Sequence, residues 1–314
     1  MNRLCAVLLL PDIARDIAAE ITTGIEKGMS MVMAVALALA MTALAQNALA
    51  EPTPSQTAPA HAPAQATATA QTLSMHVEKR LPHDAQAFTQ GLIFHQGELV
   101  ESTGLYGQSS LRRTNPETGG ILALTRLDKR FFGEGLALCP ERPGKPPRLV
   151  QLTWREGRIL TYDAVGLRQL GSHRLRGEGW GLAWDGARLI LSDGTDTLRL
   201  LQPDDFAQTG QLNVRDGSKP VRELNELEWV GGWLLANVLG QDRIAVIRPP
   251  GTSKPGQVAA WLDISALRQE LGPQAEAANG VAFDPQARKL FVTGKRWDTV
   301  FVLALPPLLE QPPR

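Results

Sequence analysis

The stretch GEGLAL (Gly133 to Leu138) contains the motif that decides the fold, because variants of this motif recur along the chain. Each copy begins with a polar or aromatic residue, usually followed by glycine, and continues with alternating apolar positions. The five copies are QGLIF from Gln90, EGLAL from Glu134, WGLAW from Trp180, NELEW from Asn225 and NGVAF from Asn279. Their first residues are separated by 44, 46, 45 and 54 positions, a period typical of a four-stranded propeller blade.

Two further apolar runs follow the motif in each unit. After EGLAL they are RLVQLTW (148–154) and RILTYDA (158–164). Such runs are short, rich in Val, Ile, Leu and Thr, and bounded by Gly, Asp or Pro, which is typical of strands joined by turns. Helical periodicity is confined to DISALRQEL (263–271).

The sequence therefore predicts an all-β fold, a five-bladed β-propeller. Radial repetition of this kind leaves few exposed sheet edges. Either residues 73–79 or VFVLAL (300–305) are available to close the ring. A six-bladed ring, with a further strand hidden in residues 77–88, is the alternative.

The residues that precede the predicted fold divide into two segments. Residues 31–45 read MVMAVALALAMTALA, an apolar run of signal-peptide length that is followed by the small residues a secretory peptidase requires. We predict a signal peptide over residues 1–50, in which the mixed charges of residues 1–28 suggest a start codon assigned too early. Residues 51–72, rich in Ala, Pro and Thr, predict a flexible leader. The propeller domain is predicted over residues 73–310 of a periplasmic or secreted protein, with no membrane anchor after cleavage.

Charge and composition exclude several classes of function. Lys plus Arg equals Asp plus Glu at 32 each, so no attraction to nucleic acid or to an anionic membrane is indicated. Cys139 is alone in the predicted mature chain, which excludes an intramolecular disulfide, and we expect a buried, inert thiol. The five histidines show no paired spacing, so the sequence predicts no metal site of the His and Cys kind. Nothing in the sequence indicates an oligomeric state.

The repeat predicts where its polar residues lie. The first strand of each propeller blade lines the central channel, so equivalent residues converge on one face. Antiparallel pairing returns the end of the second strand to that face. The five first residues, predicted to surround one mouth, are Gln90, Glu134, Trp180, Asn225 and Asn279. The second-strand ends are Thr103, Thr153 with Trp154, Asp193, Leu239 and Lys295. We assign Asn279 to substrate binding only because it is one of the residues predicted to surround this mouth.

The first residues differ from one another and are mostly polar, which packing does not require. A site built on a symmetric frame produces this pattern, although channel waters would satisfy the same groups. Gly133 and Gly135 are expected to set a turn that aims Glu134. For Trp184, as for Trp229, core packing is the better interpretation, because both alternate with apolar strand positions. An ordinary solvated lysine is the alternative interpretation of Lys295.

Nine motifs occur in order between about residues 76 and 303. They are FTQGL (88–92), ESTGLYGQSSLR (101–112), FGEGLAL (132–138), QLTW (151–154), GEGWGLAWDG (177–186), LNELEWV (224–230), ANV (236–238), QDRI (241–244) and VTGKRW (292–297). Together they resemble those of the glutaminyl-peptide cyclotransferases of the plant and bacterial type. The resemblance implies a five-bladed β-propeller that converts the N-terminal glutamine of a peptide or protein into pyroglutamate. This acyltransferase reaction releases ammonia and is expected to require no cofactor.

The resemblance also implies roles for individual residues. Glu134 matches the glutamate regarded as the acid/base residue of the family. Leu239 departs from the family pattern, since relatives usually carry an aromatic residue there as one wall of the substrate pocket. Some relatives hold a structural calcium ion near the propeller axis, but no acidic cluster in this sequence identifies its ligands. The matched pocket residues are Phe88, Gln90, Trp154, Trp180, Asn225 and Lys295.

The reaction makes specific chemical demands. It is an intramolecular attack of the α-amino nitrogen on the γ-amide carbon, so the enzyme supplies orientation and proton transfer rather than a nucleophile. We expect Glu134 to accept a proton from the attacking amine and to return it to the departing nitrogen. Burial against Phe132 and Trp180 would raise the pKa of this carboxyl from about 4.3 toward neutrality. Lys295 and Asn225 are expected to stabilise the negative charge that develops on the amide oxygen.

Two other functions are compatible with an exported propeller. A calcium-dependent hydrolase of the lactonase kind would hold the ion with oxygen donors from Glu134, Asn225 and Asn279, and chelators would abolish its activity. A non-enzymatic propeller would use its face for protein contacts. Ammonia release from a Gln-initiated dipeptide, absent when the amine is blocked, distinguishes a cyclotransferase from such a binding protein.

Overall fold

The structure, a computed structural model, describes residues 69–313. The predicted signal peptide (1–50) and residues 51–68 of the predicted leader lie outside the described residues. Regular structure begins with β1 (Gln71–Ser74) and continues with β2 (Val77–Pro82). The first strand thus starts before the predicted domain boundary at Leu73. Gln71 and Thr72, assigned to the leader from composition, are in a strand because they pair with the edge of a blade.

Five sheets form the blades, and each runs from an innermost to an outermost strand. The first blade contains β3 (Thr89–His95), β4 (Glu98–Thr103), β5 (Ser110–Thr114) and β6 (Ile121–Arg126). The second contains β7 (Gly133–Cys139), β8 (Arg148–Thr153), β9 (Arg158–Asp163) and β10 (Gln169–Arg174). The third contains β11 (Leu182–Trp184), β12 (Leu189–Leu191), β13 (Thr197–Leu201) and β14 (Gln208–Asn213), and it is followed by a small hairpin of β15 (Arg215–Asp216) and β16 (Lys219–Pro220). The fourth contains β17 (Leu224–Val230), β18 (Trp233–Val238), β19 (Arg243–Ile247) and β20 (Val258–Asp263), and the fifth contains β21 (Ala278–Asp284), β22 (Lys289–Gly294) and β23 (Thr299–Ala304).

The blades form a closed ring. Each innermost strand contacts the next in the order β3, β7, β11, β17 and β21, and β21 contacts β3. Strand β2 pairs antiparallel with β23 and is the outermost strand of the fifth blade. Both segments predicted to be available for closure therefore meet in one blade. The five-bladed prediction is confirmed, and the segment considered for a sixth blade completes the fifth.

A further strand covers the outer edge of the fourth blade. Strand β1 lies parallel to β20. The Asp216 carboxylate anchors this segment, because it accepts hydrogen bonds from the Ala70 backbone N–H at 2.6 Å and from Trp261 Nε1 at 2.9 Å. The Arg243 guanidinium lies 3.8 Å from the centre of the Trp261 ring. Strand β1 pairs with backbone N–H and C=O groups of β20 that would otherwise be unpaired at an open sheet edge.

The segment with helical periodicity forms a 3₁₀ helix, Ser265–Glu270, and a second 3₁₀ helix covers Pro307–Glu310. In the first helix only Leu267 is buried, and no side chain caps the N-terminus. So short a segment with one anchoring side chain does not gain enough to stabilise α-helical turns. Among the described residues, no helix is long and apolar enough to cross a membrane.

Apolar side chains between adjacent blades form the core. Strands β8 and β18 are buried almost throughout because a blade covers each of their faces, whereas the outermost β6 and β10 are largely exposed. Cys139 and Trp184 pack between blades two and three. Trp229 packs between blades three and four. These contacts confirm the predicted packing roles, and burial raises the pKa of the Cys139 thiol, as expected for an inert cysteine.

Irregular pairing marks the start of four innermost strands. The register shifts occur between Thr89 and Gly91, between Gly133 and Leu136, between Leu224 and Leu227, and between Ala278 and Val281. They span Gln90, Glu134, Asn225 and Asn279, four of the five first residues of the repeat. An irregularity of this kind re-aims a side chain out of the regular alternation of a strand. In the third blade Trp180 lies just ahead of β11.

Candidate active site

A pocket of about 310 Å³ lies where the innermost strands begin. It brings together seven of the eight predicted site residues: Phe88, Gln90, Glu134, Trp154, Trp180, Asn225 and Lys295. Phe132 and Leu239 complete its lining. Asn279, the eighth predicted residue, does not line the pocket and is fully buried.

Glu134 is held by a chain of two amides. The carboxyl is almost fully buried, and its Oε1 accepts a hydrogen bond from Gln90 Nε2 at 2.9 Å. The Gln90 amide is in turn fixed by Asn279, whose Nδ2 donates to Gln90 Oε1 at 2.8 Å and to the Thr89 carbonyl at 3.0 Å. Asn279 therefore orients Gln90 so that its N–H faces the carboxyl. The second oxygen of Glu134 makes no hydrogen bond to any residue that the structure describes, and the side chain borders the pocket.

The glycines on either side of Glu134 permit close packing. A β-carbon at Gly135 would lie 2.6 Å from the carbonyl carbon of Gly181 on the neighbouring inner segment, and one at Gly133 would lie 2.7 Å from the Thr103 carbonyl oxygen. Neither glycine has a positive φ. Both lie within strand β7, so the predicted turn is wrong. The glycines allow adjacent chain segments to approach each other closely and so bring Glu134 to the centre of the ring.

Glu134 and Lys295 share the pocket and shift each other's pKa. Burial raises the pKa of Glu134 well above the usual carboxyl range, against the opposing effect of the Lys295 ammonium, while the carboxylates of Glu156 and Glu178 raise it further. Burial lowers the pKa of Lys295, against the opposing effect of Glu134. The Lys295 Nζ atom lies 5.0 Å from the centre of the Phe88 ring, within cation–π distance. The pocket thus contains a carboxyl whose pKa is raised and an amine whose pKa is lowered.

Aromatic rings form the walls of the pocket around Phe132. The Phe132 ring packs edge-on against Phe88 at 6.1 Å, against Trp154 at 5.4 Å and against Tyr106 at 5.4 Å between centroids. Edge-to-face packing of this kind stabilises aromatic clusters beyond the burial of their area. The walls are therefore rigid and apolar. On the fourth blade, however, the wall is the aliphatic Leu239.

Glu178 orients two of these walls, although no sequence pattern singled it out. Its Oε2 accepts hydrogen bonds from Trp154 Nε1 at 2.8 Å and from Trp180 Nε1 at 3.0 Å. Its Oε1 accepts one from Arg155 Nε at 3.1 Å. These hydrogen bonds hold the pKa of Glu178 below its usual value, and the bond from Trp180 has the largest effect. The available signal was its place two residues before Trp180 in the GEGW motif.

Asn225 presents an amide with an unused acceptor. Its Oδ1 is buried and has no hydrogen-bond donor within residues 69–313. Its backbone carbonyl accepts a hydrogen bond from Ser192 Oγ at 2.6 Å, which fixes the main chain at this point. A carboxamide carries both donors and acceptors and can pair with a second carboxamide in a complementary way. Asn225 borders the pocket, so the N–H groups of its carboxamide are available as hydrogen-bond donors for a ligand.

Metal-binding chemistry is not supported by the described residues. Within them, no group of three or more His, Cys, Asp or Glu side chains is placed to hold a metal ion. The carboxyl of Glu226 on β17 instead accepts hydrogen bonds from the backbone N–H groups of Leu92 at 3.3 Å and of Val281 at 3.0 Å. Asp193 lies 3.5 Å from Arg199. These residues do not fit the calcium site that the resemblance suggested, and its ligands stay unassigned.

Comparisons with known proteins agree on one family. The sequence model of a family described as glutamine cyclotransferase matches residues 44–305, a range that includes every blade. The chain is 39% identical over 238 residues to the glutaminyl-peptide cyclotransferase of Arabidopsis thaliana, which covers 74% of this chain and 71% of that relative. The fold is similar to the crystal structure of Myxococcus xanthus glutaminyl cyclase, with a TM-score of 0.66 and 35% identity over 74% of this chain and 97% of that chain.

Proposed function

The chain belongs to the glutamine cyclotransferase family, and we propose that the pocket around Glu134 is where this enzyme converts an N-terminal glutamine into pyroglutamate. The substrates are peptides or proteins that begin with glutamine, and the second product is ammonia. The assignment of the site rests on one observation: the two oxygens of the buried Glu134 carboxyl have different surroundings. One oxygen is held by Gln90 at 2.9 Å, while the side chain borders a pocket large enough for a glutamine side chain.

Glu134 moves the proton in this mechanism. The α-amino nitrogen attacks the γ-amide carbon, and Glu134 accepts the proton that this nitrogen loses as the new C–N bond forms. The same carboxyl then donates that proton to the departing nitrogen, which leaves as ammonia when the old C–N bond breaks. A free carboxyl is too acidic to protonate the leaving group well. Burial, which raises the pKa of Glu134, makes the carboxyl a better donor without preventing it from acting as a base.

Asn225 and Lys295 act on the γ-amide in this proposal. Asn225, which borders the pocket, donates an N–H of its carboxamide to the γ-amide oxygen. The Lys295 ammonium donates to the amide oxygen as it becomes negative in the transition state. The aromatic walls hold the aliphatic part of the side chain and exclude water, which otherwise competes with the amine for the γ-carbon.

The lactonase-type alternative is not supported by the positions of its three candidate ligands. Asn279 does not line the pocket, and both hydrogen bonds of its Nδ2 hold neighbouring groups of the protein. Glu134 and Asn225 remain, which are too few protein oxygen donors for calcium, an ion that takes six to eight. We therefore propose that the reaction requires no cofactor.

The test of this function is ammonia release from a glutamine-initiated dipeptide. We expect stoichiometric ammonia and pyroglutamyl peptide from H-Gln-Ala, and neither product from the same dipeptide with an acetylated amine, because attack requires the free nitrogen. The rate is expected to be unchanged after treatment with a chelator. Ammonia without pyroglutamyl product would indicate hydrolysis and would overturn the assignment.

We also propose that the protein acts outside the cytoplasm. The proposal is supported by the apolar run over residues 31–45 and by the small residues that follow it. Fractionation of cells that express the full chain tests it, with the N-terminus of the recovered protein read by mass spectrometry. Enzyme that remains in the cytoplasm with residues 1–50 attached would contradict it.

A further inference from the structure

A second cleft lies between the outer strands of blades two and three. It measures about 880 Å³, against about 310 Å³ for the pocket around Glu134. Four arginines line it: Arg158 at the start of β9, Arg174 at the end of β10, Arg176 in the following loop and Arg199 on β13. Its apolar lining includes Phe206, which packs against His173 with ring centroids 4.8 Å apart.

Three of the arginines have no acidic partner. Among the described residues, no hydrogen bond or ion pair reaches the side chains of Arg158, Arg174 or Arg176. The acidic residue in the lining, Glu156, accepts a hydrogen bond from the Tyr106 hydroxyl at 2.7 Å and places one negative charge beside these three arginines. In a chain with equal numbers of acidic and basic residues, this is a local excess of positive charge. Such an excess, set in a concave surface, attracts anions.

Arg199 connects the cleft with the pocket. Its guanidinium donates to the backbone carbonyls of Arg176 and Glu178 and lies 3.5 Å from Asp193. These contacts fix the loop that leads from β10 to β11. One part of this loop presents Arg176 to the cleft, and the next presents Trp180 to the pocket. The same loop therefore borders both cavities.

We propose that this cleft binds the carboxylates of acidic residues that follow the N-terminal glutamine of the substrate. The inference rests on the proposed function of the pocket and adds a substrate class, namely peptides that begin with glutamine and are acidic in their next few residues. An extended peptide advances about 3.3 Å per residue, so a few residues are enough to leave the pocket and cross the loop. Guanidinium groups bind carboxylates with paired hydrogen bonds, and three unpartnered arginines provide for more than one carboxylate.

The expected effect is on substrate binding. The cleft is remote from the reacting atoms, so it binds the ground state and the transition state equally, and the acidic residues lower KM without changing kcat. Exposed ion pairs shift an equilibrium by about 1.4- to 5-fold each, so two well-placed carboxylates lower KM by about 2- to 25-fold. Because Arg174 and Arg176 are exposed to solvent, this preference declines as the salt concentration rises.

The experiment compares C-terminally amidated peptides that begin with glutamine and continue either with alanine alone or with glutamate at one or two of positions two to six. Ammonia release gives kcat and KM for the wild-type enzyme and for a variant with Arg158→Ala, Arg174→Ala and Arg176→Ala. The matched control is Arg222→Ala, which removes an exposed positive charge just before β17 in blade four. None of the three cleft arginines supports the fold through a side-chain hydrogen bond or ion pair, and the alanine peptide reports whether each variant retains its structure.

Three results together support the proposal. The glutamate peptides have a lower KM than the alanine peptide with wild-type enzyme, the triple variant loses that difference, and Arg222→Ala retains it. Equal KM values for acidic and neutral peptides overturn the proposal, as does a preference that persists in the triple variant or in 0.5 M salt. Failure of the proposed function is recognised separately, because the alanine peptide would then release no ammonia.

Discussion

Two buried carboxyls on innermost strands, Glu134 in blade two and Glu226 in blade four, have opposite surroundings. Both are almost completely removed from solvent, and burial raises the pKa of each. Glu226 accepts backbone N–H groups from two other blades, that of Leu92 on one oxygen and that of Val281 on the other. Glu134 is held on one oxygen by a side-chain amide, and it borders a pocket. Glu226 joins three blades, whereas Glu134 has an oxygen left for a ligand.

The difference shows that burial alone does not distinguish a catalytic carboxyl from a structural one. Desolvation raises the pKa of both carboxyls, so a raised pKa does not distinguish them. What separates them is the number of hydrogen bonds that the protein itself supplies. A carboxyl whose oxygens are both satisfied by backbone groups stabilises the ring, and one with a free oxygen in a cavity can exchange its proton with a substrate.

The sharpest way to test the comparison is to neutralise each carboxyl in turn. Glu134→Gln is expected to lower kcat by about 10²- to 10⁴-fold, the usual contribution of general acid–base catalysis, with little change in KM. The free energy of unfolding is expected to change little, since an amide can still bond to Gln90. Ammonia release and urea unfolding measure the two effects.

Glu226→Gln is the matched variant, and we expect it to retain kcat. If Glu226→Gln instead abolished turnover while leaving stability intact, the two carboxyls would not have the separate roles described above. Equal loss of activity in both variants would have the same meaning.

Lys295 provides a second test, because its ammonium opposes the rise of the pKa of Glu134. Lys295→Ala is expected to lower kcat by about 10²-fold through loss of a donor to the amide oxygen. It also removes a charge that favours ionised Glu134, so the pKa of Glu134 rises. Since only the ionised carboxylate accepts a proton from the amine, the acidic limb of the kcat/KM profile moves to higher pH.

Glu156→Gln provides the opposite change, because the Glu156 carboxylate raises the pKa of Glu134. In that variant the acidic limb is expected to move to lower pH. The pH dependence of kcat/KM from pH 4 to 9 checks both directions. If the acidic limb moved in the same direction in Lys295→Ala and in Glu156→Gln, Glu134 would be excluded as the titrating group.

The last expected effect concerns stability and not activity. Burial raises the pKa of Glu226 from 4.5 to about 8. Between these values the folded protein retains a proton that the unfolded chain releases, so stability that is present below about pH 4.5 is lost as the pH rises toward 8. This group alone makes the unfolding free energy fall by up to about 1.4 kcal/mol per pH unit.

Glu226→Gln removes this slope and costs about 1–3 kcal/mol at acid pH, because one of the two backbone N–H groups loses its acceptor. Urea unfolding from pH 4 to 9 measures both quantities. Glu141→Gln, on an exposed loop, is the control that should keep the wild-type slope. An unchanged slope in Glu226→Gln would show that this carboxyl does not titrate with unfolding.

The sequence was sufficient for the parts of the molecule that repeat. A period of about 45 residues predicted the five blades, and the mismatch among the first residues of the repeat predicted the pocket around Glu134. Asn279 occupies the predicted position, but its side chain supports Gln90 instead of lining the cavity. A period locates a residue on the ring, whereas the direction of its side chain depends on local irregularities in strand pairing.

Features that depend on contacts between blades were not predictable in the same way. The Glu178 carboxylate joins two tryptophans from separate blades, Trp154 just after β8 and Trp180 just before β11, and this contact leaves no periodic trace. The arginines of the second cleft come from two blades and look like ordinary surface residues in the sequence. Gln71 and Thr72 have the composition of a leader, and they are in a strand only because the edge of the fourth blade accepts them.

The pairing of β2 with β23 also constrains how the protein folds. Val77 and Leu303, which face each other in this pair, are separated by 226 positions in the sequence. The ring therefore cannot close until nearly the whole propeller has been synthesised, and the final step brings together its most distant contacts. Folding dominated by such non-local contacts is slow, and an open ring exposes apolar blade faces that aggregate. Conditions that delay closure should therefore lower the yield of enzyme more than its activity once folded.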